Sequence, residues 1–320
     1  MPAHTFCIAP MMDWTDRHER YFLRLLSRHA LLYTEMITSA ALTRGDASRL
    51  LAHDPVEYPL AVQLGGSDPE ELAAAAKLAE RAGYGEVNLN IGCPSDRVQS
   101  GRFGACLMAE PALVADCVTA ISREVEVPVT VKCRIGIDEM DSDESLANFI
   151  SQVAGAGCRT FIIHARIAVL AGLSPRENRE IPPLNYPRVM DMKARFPELE
   201  IVINGGITSL EQARGLLDML DGVMVGREAY QNPFLLSEVD EKLFGAPPDS
   251  RSRLDYLQAY LPYVQEELAR GTPLQHMSKH VLGLFKGMSG GRNFRRHISE
   301  HAHRKQAGLD VLLDAMAHVS

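Results

Sequence analysis

Short apolar runs alternate with longer amphipathic ones through the first three quarters of the chain, and this alternation restricts the fold more than any other feature. Eight runs read as strands: FCIAP (6–10), LLYTEM (31–36), PLAVQL (59–64), EVNLNI (86–91), VTVKC (129–133), TFIIHA (160–165), EIVING (200–205) and GVMVG (222–226). They are rich in Val and Ile and nearly continuous in apolar character, as strands covered on both faces are. Helix signals lie between them. Asp68 precedes Pro69-Glu70-Glu71, a cap followed by proline at the first helical position and acids in the first turn, and Gly83 closes that segment. Ser209 with Gln212 three residues on reads as a capping box. Further helices are expected over 15–28, 111–125, 143–155 and 187–196. Eight strands, each followed by a helix or loop, match an α/β fold of the (β/α)8 TIM-barrel type. An open doubly wound sheet would need a glycine-rich turn after the first strand, and FCIAPMMDWTD has none.

After the eighth unit the pattern changes. The barrel is assigned to residues 1–244, GAPPDS (245–250) reads as a linker, and residues 251–320 show only helical periodicity, giving a small all-helical C-terminal domain. Net charge is −8, which argues against a uniformly basic nucleic-acid binder. The charge is nevertheless uneven. Residues 279–305 hold seven basic side chains (Lys279, Lys286, Arg292, Arg295, Arg296, Arg304, Lys305) against one acid, Glu300. An acidic body with a basic C-terminal segment suits a polyanionic partner, although a solvated basic face has the same composition.

The beginning of the chain lacks a basic segment followed by an apolar core, and no apolar run approaches the roughly 18 residues of a membrane span. The six cysteines (7, 93, 106, 117, 133, 158) form no CxxC pair. Reduced thiols in a cytoplasmic protein are the expectation. No membrane association and no obligate protein partner are expected. HISEH (297–301) matches an inverted zincin pattern, but it lies among Arg295, Arg296, Arg304 and Lys305, whose field opposes a dication, so no metal is expected.

In a barrel the C-terminal ends of the strands meet on one face, where active sites are built. Each run here ends in residues a core would not choose: Met11-Met12-Asp13, Glu35, Gln63, Asn90, Lys132, His164-Ala165-Arg166, Asn204-Gly205-Gly206 and Gly226-Arg227. Lys132 is the most telling, because lysine is rarely buried without a partner. INGGI before the Ser209 cap, and VGR after strand eight, place backbone N–H groups where barrels commonly hold a phosphate. A phosphorylated cofactor and a phosphosugar substrate would both fit that cradle. The stretch NLNIGCPSDRVQSGRFGACLM (88–108) adds two cysteines in one loop, Cys93 before a stiffening Pro94 and Cys106 just ahead of the next helix.

These residues, with APMMDWTDRHER (9–20), LYTEMIT (32–38), QLGGSDP (63–69), VTVKCRIG (129–136), HAR (164–166) and NREIPPLNYP (178–187), resemble the tRNA-dihydrouridine synthases, most closely their A-type bacterial branch, over essentially the whole chain. The resemblance implies an FMN-binding barrel followed by a helical tRNA-binding domain. FMN would be held by Pro10, Met11, Met12, Gln63, Lys132, His164, Asn204, Gly205, Gly206, Gly226 and Arg227. NADPH would reduce the flavin, hydride would pass from its N5 to C6 of uracil, and Cys93 would protonate C5 as general acid. The targets would be D-loop uridines 20 and 20a of tRNA, approached from the surrounding elbow. Asn90 and Arg166 are placed with the substrate. Arg176 and Arg179, in the long loop after strand six, would reach RNA at the mouth, and Arg292, Arg295 and Arg296 would grip phosphates further out. Competing readings are a flavin-dependent reductase of a free pyrimidine, an aldolase-like barrel using Lys132 as a Schiff-base amine, and a non-catalytic tRNA-binding protein.

Overall fold

A computed structural model describes residues 3–319. Eight strands, β1 (Phe6–Ile8), β2 (Leu32–Thr38), β3 (Leu60–Gly65), β4 (Glu86–Ile91), β5 (Val129–Arg134), β6 (Thr160–His164), β7 (Glu200–Asn204) and β8 (Gly222–Val225), form one parallel sheet in the order β1-β8-β7-β6-β5-β4-β3-β2. The seam between β1 and β2 is closed by a parallel bridge from Cys7 to Leu31, where Ile8 N–H donates to Leu31 O at 2.9 Å and Leu31 N–H to Phe6 O at 3.0 Å. The result is the expected (β/α)8 barrel.

Helices α1 (Arg17–Leu26), α2 (Ser39–Arg44), α3 (Pro69–Arg81), α4 (Pro111–Ser122), α5 (Asp143–Gly155), α6 (Tyr186–Arg195), α7 (Leu210–Leu217) and α8 (Arg227–Gln231) follow the strands in turn. Their starts obey local chemistry. Asp68 accepts from Glu71 N–H at 2.8 Å with Pro69 behind it, and Leu72, Ala75, Ala76 and Ala79 of α3 then bury one face against the sheet. Ser209 caps α7 through Gln212 N–H at 3.2 Å, while the Gln212 side chain reaches Thr208 N–H rather than closing a reciprocal box.

Two cores result. Outward-facing strand residues such as Val87, Leu89, Val131 and Ile163 pack against the helices. Inside the barrel lie Cys7, Ala9, Tyr33, Ala61, Ile162, Val202 and Met224. This interior is not wholly apolar. Glu86 and Asn88 on β4 and Thr130 on β5 are buried as well, because a period of two turns the same face inward as Asn90 and Lys132. At the end of the barrel away from the strand C-termini, His4 Nε2 lies 2.7 Å from Glu86 Oε2 and its Nδ1 2.9 Å from Glu200 Oε2.

Residues 246–252 contain no helix or strand, and α9 (Arg253–Ala269), α10 (Leu274–Ser278), α11 (Gly291–His301) and α12 (Asp310–Met316) follow. They grip α1. Tyr263 stacks on Tyr21 with ring centroids 3.9 Å apart, Tyr260 donates to His18 O, and Tyr263 meets His18 Nδ1 at 2.7 Å. Asp16, which caps α1, also takes Lys279 at 3.0 Å and buried His280 at 2.9 Å. The basic helices are thereby tied to the β1 loop at the barrel mouth. No helix among the described residues is long and apolar enough to cross a membrane.

Burial alone would depress the His4 pKa, but its bonds to Glu200 and Glu86 outweigh burial and raise it from 6.5 to about 10. The stabilisation is therefore complete below pH 6.5 and is lost as pH rises toward the folded value. His4→Ala should cost about 3 kcal/mol in mildly acidic solution, as loss of a buried charge partner does, and progressively less toward pH 9. Denaturant titrations across that range check this, and a cost independent of pH would count against a charged His4.

Candidate active site

A cleft of about 540 Å³ opens at the C-terminal ends of the strands. Pro10, Met11, Met12, Gln63, Asn90, Cys93, Lys132, His164, Arg179, Asn204, Gly205, Gly206, Gly226 and Arg227 line it, drawn from seven of the eight strand ends and the loop after β6. Strand register explains the grouping. Asn90 pairs with Lys132, His164 with Asn204, and Asn204 with Met224, so adjacent strands deliver these side chains at one level.

The Cys93 loop is held from several sides. Cys93 N–H and Gly92 N–H donate to Asn90 Oδ1 at 3.0 and 3.1 Å. Ala105 N–H donates to Cys93 O at 2.9 Å, and a side chain at Gly104 (φ 77°) would bring its Cβ to 2.6 Å from that oxygen. The Cys93 sulfur is half-buried, faces the cleft and lies 3.5 Å from Ser95 Oγ. Cys106 turns away, donates to Phe103 O at 3.2 Å, and has its thiol pKa pushed up by burial. The two cysteines of the loop are thus inequivalent, and all six in the chain are free thiols.

The floor is cationic. Lys132 Nζ donates to Asn204 Oδ1 at 3.1 Å, and Asn204 Nδ2 in turn donates to Met224 O at 2.7 Å. Burial, then the neighbouring Arg134, lowers the Lys132 pKa to about 8. Burial followed by the charges of Arg134 and Lys132 drives His164 well below its ordinary value, so its ring is neutral. Its Nδ1 is buried without a hydrogen-bond partner among the described residues. Such an atom points to a ligand.

Arg134, one residue beyond the apolar run VTVKC, also lies in the cleft wall. Its buried guanidinium donates to Gly92 O at 2.9 Å, Ile167 O at 2.8 Å and Asn178 O at 3.0 Å, joining the Cys93 loop to the long loop after β6. Thr130, Lys132 and Arg134 alternate on one strand, so period-two parity would have revealed it. Asn178 holds the long loop in turn, exchanging bonds of 2.8 and 2.9 Å with the Val169 backbone.

Glu35 requires a correction. It does not end its strand, since β2 continues to Thr38, and an irregular register between Tyr33 and Met36 turns it out of the cleft. It instead accepts from Asp13 N–H and supports the turn carrying Met11 and Met12, while Met36 takes the wall position. Arg166, Arg176, Arg292 and Arg295 lie outside the cleft. Arg166 bonds to Pro182 O, Arg176 is exposed 3.6 Å from Glu180, and Arg292 and Arg295 sit on α11, the former exposed. Glu180 also pairs with Arg227 at 2.9 Å, placing an acid on the arginine of the glycine-rich cradle. On α11, His297 and His301 stack with centroids 4.3 Å apart, and His301 Nδ1 meets its own helix at His297 O, 2.7 Å away.

A parallel (β/α)8 barrel with a polar, cationic cleft at the C-terminal ends of its strands has the architecture of the barrel enzymes. The profile of the dihydrouridine synthase (Dus) family matches residues 7–319. The chain belongs to this family. It is 58% identical over 313 residues to the tRNA-dihydrouridine(20/20a) synthase of Vibrio parahaemolyticus, covering 98% of this chain and 96% of that one. The protein of the same name from Escherichia coli K12 is 57% identical over 316 residues, covering 98% and 91%. Among solved structures, a 2-naphthoyl-CoA reductase in complex with 2-naphthoyl-CoA shares the fold with a TM-score of 0.58 at 11% identity, over 74% of this chain and 50% of that one.

Gly205 has φ 116°, and a Cβ there would stand 2.9 Å from the His164 ring. Gly205→Ala should therefore lose at least about 1–2 kcal/mol to backbone strain; thermal denaturation measures it, and an unchanged midpoint would show that the turn relaxes freely.

Proposed function

We propose that this protein reduces the 5,6 double bond of D-loop uridines 20 and 20a in tRNA to dihydrouridine, using FMN with NADPH as reductant. The observation that carries the reading is the placement of the Cys93 thiol on a ligand-sized cleft beside Asn90 and Lys132. The residues present suit a flavin: His164 offers an orphaned ring nitrogen, Gln63, Asn204 and Lys132 offer polar groups in the floor, and the Gly205-Gly206 and Gly226-Arg227 turns offer backbone N–H groups beside a guanidinium. Bound reduced flavin supplies the hydride that C6 of the uracil accepts.

The chain's own residues provide the rest. Hydride at C6 leaves negative charge conjugated to the C4 carbonyl, and C5 then needs a proton. Cys93 holds that proton on sulfur and delivers it as general acid. Lys132 and Asn90 present donors toward the developing charge. The base must leave its stack to enter so deep a cleft. Its flanking phosphates would then be gripped at the mouth by Arg176 and Arg179, with Arg166 bracing the loop. Arg292 and Arg295 would take phosphates further away. In this reading residues 1–244 form the catalytic barrel, 245–250 the connection and 251–320 the tRNA-holding helical domain. The reading is supported by the attachment of the basic helices to the β1 loop through Asp16, Lys279 and His280.

Purified protein should be yellow and, given NADPH and unmodified tRNA, should form dihydrouridine at positions 20 and 20a, read by nucleoside mass spectrometry and primer extension. Cys93→Ala should retain flavin and its reduction by NADPH while losing at least about 100-fold in uridine reduction, the scale of lost general acid catalysis. Cys106→Ala should be far milder. Equal turnover by Cys93→Ala would remove the thiol from the mechanism.

A further inference from the structure

A single line of hydrogen bonds runs through the barrel interior from the Cys93 loop to the opposite end. Cys93 and Gly92 N–H donate to Asn90 Oδ1, Asn90 Nδ2 donates to Gln63 Oε1 at 2.8 Å, and Gln63 Nε2 donates to Asn88 Oδ1 at 2.8 Å. Asn88 Nδ2 then donates to Thr130 Oγ1 at 2.8 Å, and the Thr130 hydroxyl donates to Glu86 Oε1 at 2.6 Å. Gln63, Asn88, Thr130 and Glu86 are all buried. Every link donates in the same direction, and both ends enforce that direction. A backbone N–H can only donate, and a carboxylate can only accept. Glu86 is itself fixed by Tyr33 OH at 2.8 Å and His4 Nε2 at 2.7 Å.

Side-chain amides have two orientations of nearly equal shape, and their surroundings select one. Here both ends make the selection, the Cys93 and Gly92 N–H groups at the cleft and Glu86 far below it. Because Glu86 accepts from Thr130, the threonine lone pair must receive the Asn88 NH2. That leaves the Asn88 oxygen for Gln63, the Gln63 oxygen for Asn90, and the Asn90 oxygen for the Cys93 loop. We propose that Glu86, Thr130 and Asn88 are positioning residues for the Cys93 thiol, acting through the amide orientation of Gln63 and Asn90. The inference deepens the proposed reaction and rests on Cys93 being its proton donor. If the Thr130 hydroxyl is removed, the Asn88 NH2 loses its acceptor and the preference for one orientation is no longer imposed from below. A reversal carried up the line would set the Asn90 NH2 against the two N–H groups that hold Cys93.

Thr130 allows a test in which packing and hydrogen bonding predict opposite orders. Valine keeps the shape of threonine and loses the hydroxyl, whereas serine keeps the hydroxyl and loses the methyl. Holoenzyme reduced by NADPH is mixed with unmodified tRNA, and flavin reoxidation is followed by absorbance, with rates expressed per bound flavin. Thr130→Val should slow reoxidation and kcat by at least about tenfold, within the hundredfold that an ångström of misplacement can cost. KM for tRNA should stay within about twofold, the split expected when only the reacting geometry suffers, and flavin reduction by NADPH should change far less than reoxidation by tRNA. Thr130→Ser should restore most of the rate. Wild-type reoxidation by Thr130→Val, or a loss in Thr130→Ser as large as in Thr130→Val, overturns the inference. If Thr130→Val does not fold, Thr130→Ala against Thr130→Ser makes the same comparison with one oxygen as the difference. Cys93→Ala, measured in parallel, separates the two levels. Its full activity would remove the proton-donor reading itself, whereas an inactive Cys93→Ala beside a fast Thr130→Val would remove only the positioning role.

Discussion

Closure of the sheet between β1 and β2 is the constraint on which everything else depends. The Cys7–Leu31 bridge and its two flanking hydrogen bonds join an otherwise open row of eight parallel strands into a ring. Once the ring closes, all strand C-termini lie around one mouth and every second side chain points to a common interior. Residues separated by more than two hundred positions then meet. Met11 and Arg227 line one wall, and Asn90 stands next to Lys132 although four tens of residues of helix and loop separate them in the chain.

The closed interior is too narrow for a polar group to reach water, so each polar side chain inside must find a partner inside. Two solutions coexist. On one side Ile162, Val202 and Met224 fill space without polar demands. On the other, Glu86, Asn88, Gln63 and Thr130 satisfy one another, and His4 closes the far end between Glu86 and Glu200. Inside the barrel the carboxylates Glu86 and Glu200 lie at that far end, and the cations Lys132 and Arg134 lie toward the mouth. The cleft is left with positive groups whose own charge is disfavoured by burial, and with a neutral His164 whose Nδ1 has no partner among the described residues.

The C-terminal helices extend this organisation outward. Stacking of Tyr263 on Tyr21 and tilted packing of Tyr260 on Phe22 of α1, together with the Asp16–Lys279–His280 contacts, join them to the segment that also carries Met11 and Met12. Apolar side chains of α9 to α12 continue the cluster that covers the barrel. The basic side chains of α11 therefore hold a defined position relative to the cleft, which is what a partner spanning both would require.

Much of this was legible in the chain itself. Strand positions follow from Val- and Ile-rich runs, the starts of α3 and α7 from Asp68 and Ser209, and the residues of the mouth from polar side chains at run ends. Glu35 misled, because a register irregularity in β2 depends on its neighbouring strand and leaves no local trace. Arg134 and the buried Glu86, Asn88 and Thr130 passed unnoticed because an apolar run tolerates a few polar letters without changing its character. Sequence by itself determined the order of elements, the barrel class and the two cysteines worth distinguishing, since these rest on local propensity and periodicity. Only tertiary structure decided which thiol faces the cleft, which charges face each other and how the interior amides are oriented, because those depend on through-space partners that no local pattern encodes.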